Sequence, residues 1–527
     1  MEPTEPSAPL LGARTIWELV ERRAEATPDR TLLSDEHDRT LTCAQLRDEA
    51  AACAAGLFET GIRAGTTVSW QLPTRLETIV LSCALARLGA VQNPIIPIYG
   101  AREVGAMLDQ AASEWFVVPG AWQGVDYTAL AARCCAQTPH GTTPLTIDTK
   151  LGEPGFPTGD PATLPDPPVP TEDPDADAVR WIYTTSGTTS LPKGVLHTDR
   201  TLIAAGTGLG HAFAVDDDDV AMFAVPWAHI AGPDWLVLMT TWGLPTVVME
   251  VFVPQEAVAF MRAHRVTMTG GATALYQALL ALQRARPSEP LVPSLRILMG
   301  GGGPKPPELF FEVQREMFGV RITHGYGMTE VPMIANGSPS DTDEQLAYSD
   351  GAPVTGCEVR IVRDDGAVAD AGEEGSIHVR GPMRFRGYLD PTQTAEAIDA
   401  DGWFDTGDRG LLRPDGHVAV TGRNKDVIIR KGENIGAVEV ESVVYEHPSV
   451  SAVAVIGLPD AERGERVCAV IELVHGAAPL TLDDVRAHCR EVGLSKRKWP
   501  EQVEVVDEMP RNPTMKILKF KLKEQFA

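Results

Sequence analysis

Arg180-Trp181-Ile182-Tyr183-Thr184-Thr185-Ser186-Gly187-Thr188-Thr189-Ser190-Leu191-Pro192-Lys193-Gly194 is the stretch from which the rest of the chain is best read. A bulky, β-prone quartet runs straight into hydroxyls, a glycine and then a lysine. Backbone N–H groups and hydroxyls can donate to phosphate oxygens, and Lys193 adds a mobile positive charge. The order of residues is not that of the G-x-x-x-x-G-K-[ST] loop, because no lysine follows a glycine with a helix behind it. A plain Ser/Thr-rich surface turn has the same composition, but it explains neither the strand in front nor the spacing of threonines and lysine.

The same arrangement recurs downstream. Leu295–Met299 reads as a buried strand ending in Gly300-Gly301-Gly302-Gly303, a helix follows through Leu309, Val313 and Met317, and the strand Val320–Thr323 ends in His324-Gly325-Tyr326. Three polar or glycine-rich loops thus follow strands at their carboxyl ends, the edge at which open α/β sheets bind ligands. Upstream, Thr15-Ile16-Trp17-Glu18 and Thr74-Arg75-Leu76-Glu77 read as capping boxes. Leu46, Ala50, Cys53 and Leu57 recur at helical spacing up to Gly61, and Val68–Leu72 reads as a strand. The rhythm predicts an α/β fold: a large N-terminal body of mixed and parallel sheets covered by helices, then a β-rich subdomain from about residue 350. A small, mobile α+β domain is expected to follow. Residues 1–424 are expected to form the first domain and 425–527 the second. Residues 154–174 hold eight prolines and predict a surface linker or long loop, and Asp216–Asp219 predicts a solvated loop.

Composition narrows the function. The 527 residues are 43% hydrophobic and 22% charged, ordinary for a globular protein. A net charge of −26 repels nucleic acid and anionic membrane surfaces. Eight scattered cysteines include no C-x-x-C pair, so disulfide staples are not expected and a cytoplasmic location is. The acidic, proline-rich N-terminus lacks the n- and h-regions of a signal peptide. Polar and helix-breaking residues interrupt Trp235–Pro254, which argues for a buried sheet and helix and against a membrane span.

Further segments share one resemblance. Pro226-Trp227-Ala228-His229, Gly325-Tyr326-Gly327-Met328-Thr329-Glu330, Gly402-Trp403-Phe404-Asp405-Thr406-Gly407-Asp408, Gly422-Arg423-Asn424-Lys425-Asp426, Gly432-Glu433-Asn434-Ile435 and Pro510-Arg511 through Lys516 occur in this order. Together with the loop at 184–194 they resemble the motifs of the adenylate-forming superfamily of acyl-CoA synthetases, luciferases and adenylation domains. The resemblance implies a ligase that converts a carboxylate and ATP to acyl-AMP and pyrophosphate, then passes the acyl group to CoA and releases AMP. It assigns Thr185, Ser186, Gly187, Thr188, Thr189 and Lys193 to the β- and γ-phosphates, Glu330 to Mg²⁺ and Thr329 to the α-phosphate. Tyr326, with Gly327 beside it, and the backbone of Gly301, Gly302 and Gly303 are implied at the adenine, Asp408 at both ribose hydroxyls, and Arg423 at ribose and phosphate. Gly432 belongs to the loop after the hinge residue Lys425. Lys516 is implied as the catalytic lysine, with His229 positioning the incoming carboxylate. One physical cue stands apart from the resemblance: residues 496–523 hold eight basic and four acidic side chains, a locally positive tail on an acidic protein.

Three positions depart from the family pattern. Ser190, Lys431 and Met515 stand where glycines are usual. If residue 515 needs φ > 0, methionine there costs about 1–2 kcal/mol. Arg430 and Lys431 are expected to meet the CoA phosphates. With eleven residues after Lys516, free CoA is the expected thiol. An adenylating enzyme that loads a carrier protein, or a silent nucleotide-binding homologue, is the alternative, and a homodimer is left open. Small residues at Gly232, Gly270, Gly271 and Gly300–Gly303, with apolar Trp227, Trp235, Val331 and Met333, predict a hydrophobic acid of medium size or cyclic shape. The run Asn93–Tyr99 also resembles alicyclic-acid CoA ligases.

Overall fold

The computed structural model describes residues 8–185, 193–430, 433–460, 462–512 and 515–527. Among them the strands Arg321–Met328, Ile297–Gly301, Met268–Gly271, Ala221–Phe223, Thr246–Val248 and Thr31–Asp35 lie side by side in parallel. Short antiparallel strands at both edges complete a nine-stranded sheet. A second sheet of seven strands carries Trp181–Thr185 next to Val91–Pro94 and Thr67–Trp70, again parallel. The helix Leu76–Leu88 lies against these strands, buried over most of its surface, as its nearly unbroken apolar sequence requires. It stops at Gly89, whose φ of +68° suits glycine at a helix C-terminus.

A four-stranded antiparallel sheet, Glu358–Val362, Glu374–Arg380, Phe404–Leu412 and Val418–Arg423, follows the turns at Gly366 and Gly416. Beyond it, Ile428–Arg430, Glu433–Ile435, Val450–Asp460, Gly464–Leu473 and Gln502–Val506 make a separate five-stranded sheet. Its two faces are buried by alternate residues, as strand geometry dictates. Val455, Val467, Ala469 and Ile471 pack on one side with Val440, Val444 and Val485, while Ala454, Ile456, Cys468 and Val470 pack on the other with Met509 and Leu522. Leu522 thereby ties the last helix, Lys519–Phe526, to the sheet and fixes the chain that leads to it from Lys516.

Four local expectations are corrected. Thr15 caps its helix by accepting from Glu18 N, but the Glu18 carboxylate turns to Arg14 N, so the box is incomplete. At the second supposed box Arg75 is the cap; Thr74 Oγ1 accepts from Trp227 N, and Glu77 is buried against Arg39. The proline-rich segment is an irregular strap, as expected of its composition, yet it is packed. Phe156 is buried and Gly159 N donates to Ala52 O. Gly56 sits so close beneath it that a Cβ would stand 2.5 Å from Thr158 N. Asp219 is not solvated. Its carboxylate takes Arg296 Nε at 2.7 Å and Thr267 Oγ1 at 2.6 Å, pinning together three segments that lead into adjacent parallel strands.

Burial raises the Asp219 pKa, but the hydrogen bonds from Arg296 and Thr267 and the Arg296 charge outweigh it, leaving a net depression. A depressed folded pKa gives stability that is present above the unfolded value near 3.8 and is lost as pH falls through the folded value. Asp219→Asn should therefore cost about 2–3 kcal/mol at pH 7 and much less below pH 3. Urea unfolding of both proteins at the two pH values checks this.

Candidate active site

The carboxyl ends of the central parallel strands converge because glycines let them. Gly301 lies in register with Gly325, and a Cβ on Gly301 would fall 2.3 Å from Gly325 O. Gly301 is thus required by the neighbouring strand itself. Gly302 differs: its φ is +82° and no atom lies within 4 Å of where its Cβ would be, so its backbone faces open space. The strand Arg321–Met328 carries Tyr326 and Gly327 to this edge, and Thr329 and Glu330 form the turn into Val331–Asn336.

Asp408 and Arg423 face each other across two antiparallel strands, with Arg423 Nε 2.9 Å from Asp408 Oδ1. Tyr326 OH donates to Asp408 Oδ2 at 2.8 Å. Tyrosine, aspartate and arginine are therefore locked together, with Asp408 only 4% exposed. The family resemblance implies Tyr326 at the adenine; in the structure its hydroxyl anchors the Asp408 carboxylate. Each Asp408 oxygen retains a lone pair for a further donor.

Glu330 is 6% exposed and accepts from Tyr388 OH at 2.9 Å. Burial raises its pKa, and the Tyr388 hydrogen bond and the Lys193 and Arg423 charges act against that rise. Lys193 Nζ stands 4.7 Å from the Tyr388 ring centroid, so Lys193, Tyr388 and Glu330 form one row. Among the described residues Tyr388 is the side chain that hydrogen-bonds the Glu330 carboxylate, which keeps acceptor capacity for a hard cation of the kind Mg²⁺ is. Thr329 is held through its backbone, by His197 Nε2 at 2.7 Å from Thr329 O. A carbonyl only accepts, and burial pushes the His197 pKa down to about 4, so the neutral ring carries its proton on Nε2. Tyr388 and His197 belong to none of the motifs that carry the resemblance, and no local pattern in the sequence singles them out.

His229 sits just before the helix Ala231–Trp242. Loss of hydration, reinforced by the charge of Lys516, pushes its pKa down to about 4. Lys516 comes from the far end of the sequence, so the C-terminal unit is seated over this edge. Gln277 Nε2 helps hold it there by donating to Tyr445 OH at 3.2 Å and Ser451 O at 2.9 Å. Asn512 presents the lysine: Asn512 N donates to Lys516 O and Lys516 N to Asn512 Oδ1, each at 2.8 Å. Met515 has φ +63°, so the residue before Lys516 does occupy the left-handed region that favours glycine. Met515 N also donates to Asn512 O, at 2.8 Å, within the same turn.

Thr185 ends its strand, and Lys193 opens the next, antiparallel one. Lys193, read from the sequence as part of a loop, therefore stands on a strand. Ser186, Gly187, Thr188, Thr189 and Ser190 lie outside the described residues, as do Lys431, Gly432 and the side chain of Lys425. Arg430 is engaged by Glu501 at 3.0 and 2.7 Å, so it is not held ready for a CoA phosphate. A cavity beside His229 and Thr329 is walled by Ile95, Ile96 and Tyr99, with Tyr183 and Ile230. The run at 93–99 therefore contributes to this cavity, whereas none of the residues predicted to shape an acyl pocket, Trp227, Gly232, Trp235, Gly270, Gly271, Gly300–Gly303, Val331 and Met333, lines it.

The eight cysteines are all free and buried, and no described helix is long and apolar enough to cross a membrane. Residues 20–389 match the model of the AMP-binding enzyme family, and residues 439–516 that of the AMP-binding enzyme C-terminal domain. The chain is 34% identical to the 2-succinylbenzoate–CoA ligase of Geobacillus kaustophilus, over 97% of this chain and 98% of the relative. It is 30% identical to the medium-chain fatty-acid–CoA ligase of Escherichia coli, over 98% and 91%. The solved o-succinylbenzoate CoA synthetase of Bacillus subtilis, in complex with its acyl-adenylate intermediate, superposes with a TM-score of 0.82 at 28% identity, covering 97% of this chain and 99% of that one.

Proposed function

Since this chain belongs to the AMP-binding enzyme family and is an acid–CoA ligase of that family, we propose that it activates a hydrophobic carboxylic acid of medium size or cyclic shape through an acyl-adenylate. The observation that carries this reading is the gathering of Asp408, Arg423 and Tyr326 beside Glu330 at one strand edge, with the Lys516 charge acting on His229.

Adenylation brings a carboxylate oxygen to the α-phosphorus of ATP and expels pyrophosphate. Two anions must approach, so positive charge aimed at their junction lowers the barrier. Lys516 would supply it between the carboxylate and the α-phosphate. His229, neutral above about pH 4, would orient the acid without exchanging protons. Thr329, its backbone held by His197, would donate to the α-phosphate, and Asp408 with Arg423 would hold the ribose. Thr185, Ser186, Gly187, Thr188, Thr189 and Lys193 would take the β- and γ-phosphates. Tyr326 and Gly301–Gly303 would border the adenine. Glu330 would hold Mg²⁺, which supplies charge neutralisation to the phosphates when bound.

Residues 425–527 would then turn about Lys425, with Gly432 on the loop beyond, to admit CoA for the second step. The protein should release AMP from ATP only when both an acid and CoA are present. A panel of aliphatic, alicyclic and aromatic acids, each assayed with CoA and with acyl carrier protein, tests the proposal. Release with CoA supports it. Release with carrier protein alone, or with no acid of the panel, overturns it.

A further inference from the structure

The strand Lys193–His197 reaches the site from both of its ends: His197 meets Thr329 O, and Lys193 stands over the ring of Tyr388. Its edge neighbour is the short antiparallel strand Gly387–Tyr388, with Tyr388 opposite Val195 and Gly387 opposite Leu196. Backbone contacts on either side fix that pairing, since Arg386 N donates to Leu196 O and Leu389 N to Gly194 O, both at 2.8 Å. Tyr388 N donates to Thr394 Oγ1 at 2.8 Å. Gly387 permits this approach: its φ is +141°, and a Cβ there would stand 2.8 Å from Thr394 Cγ2.

Tyr388 is buried, and its ring meets that of Phe385 edge-on, with centroids 4.8 Å apart. Phe385 N donates to Glu330 O at 2.8 Å, and Tyr388 OH donates to Glu330 Oε1 at 2.9 Å. The stretch 385–388 therefore grips Glu330 twice, by its carbonyl and by its carboxylate. Lys193 Nζ, 4.7 Å from the ring centroid, rests on the same tyrosine. The hydroxyl is not what holds this edge together, because the pairing runs through backbone atoms and Thr394, and the ring alone fills the space beside Phe385. What the hydroxyl adds is a fixed direction for one carboxylate, set before any ligand arrives.

We propose that Tyr388 is a positioning residue for the Mg²⁺–ATP complex, its hydroxyl fixing the Glu330 carboxylate for the cation and its ring supporting Lys193 for the phosphates. This rests on the ligase reading above, in which Glu330 holds Mg²⁺ and Lys193 takes phosphate. A side chain that hydrogen-bonds a metal ligand typically governs metal affinity by about 10- to 100-fold. A cation over an aromatic face contributes about 2- to 5-fold.

Substitution separates the two contacts. Tyr388→Phe keeps the ring and loses the hydroxyl, and Tyr388→Leu loses both. Calorimetry with α,β-methylene-ATP, which cannot release pyrophosphate, gives Kd in excess Mg²⁺ and in EDTA without turnover. The native protein should bind this analogue more tightly with Mg²⁺. Tyr388→Phe should shrink that Mg²⁺ advantage by about 10-fold or more and leave the Kd in EDTA unchanged. Tyr388→Leu should shrink it as much and also raise the Kd in EDTA by about 2- to 5-fold. In turnover, Tyr388→Phe should need more Mg²⁺ for half-maximal AMP release, with kcat at saturating Mg²⁺ near native. Equal loss of affinity with and without Mg²⁺ in Tyr388→Phe would mark a tyrosine that only packs, and overturns the proposal. If Glu330→Gln abolishes the Mg²⁺ advantage and Tyr388→Phe leaves it intact, the proposal is overturned and the Mg²⁺ reading stands. No Mg²⁺ advantage in the native protein, or one that survives Glu330→Gln, overturns that reading and the proposal with it.

Discussion

Asp408→Ala should weaken ATP binding by roughly 30- to 100-fold, read as Kd by calorimetry and as the ATP KM of AMP release. The carboxylate is a buried acceptor; hydrogen bonds from ribose hydroxyls to it would be charge-assisted, and losing such bonds costs about 1.5–3 kcal/mol. Two further consequences follow from its neighbours. Arg423 and Tyr326 both spend a donor on Asp408, so the alanine variant frees the guanidinium and strands the phenol. Tyr326→Phe removes one of these contacts and keeps the carboxylate, so its loss should stay within about fivefold, the worth of one neutral hydrogen bond. Equal effects from the two substitutions would mean that Asp408 acts only as a scaffold for Tyr326.

Lys516→Ala should lower CoA-dependent AMP release by about 100- to 1000-fold, the usual consequence of removing one charge aimed at a transition state. The lysine is held by backbone bonds to Asn512 on both sides, and its charge already bears on His229. Preorganisation is therefore present before the substrates arrive, and little reorganisation remains at the moment of reaction. The melting temperature should barely change, because the bonds that fix this turn run through the Lys516 backbone and the Asn512 side chain. Asn512→Ala provides the contrast: it keeps the ammonium group but loosens its support, and should lower kcat with little change in the KM for ATP.

Much of this was legible in the residue order. The parallel strands ending in Gly300–Gly303 and His324–Tyr326, and the helical spacing of Leu46, Ala50, Cys53 and Leu57 up to Gly61, are local signals, and local signals survive folding. Legibility failed where a side chain's partner is distant in sequence. Asp219 looked like one of a solvated quartet because Arg296, 77 residues away, is invisible to a local reading. Tyr388 reaches Glu330 across 58 residues and His197 reaches Thr329 across 132, so neither could be placed in the site beforehand. Lys193 was read as part of a loop because its antiparallel pairing with Thr185, which puts it on a strand, leaves no local mark in the sequence. The left-handed backbone at Met515 was anticipated only conditionally, from the residue that usually precedes such a lysine; the Asn512 bonds around it were not.

The central claim is that one ammonium group from the C-terminal unit serves the joining of acid to nucleotide. Rapid-quench measurement of the two half-reactions in Lys516→Ala tests it most directly. The account predicts that acyl-AMP formation from acid and ATP falls at least 100-fold, while thioester formation from supplied acyl-AMP and CoA stays close to the native rate. Native-speed acyl-AMP formation in this variant, or an equal loss in both halves, would contradict it.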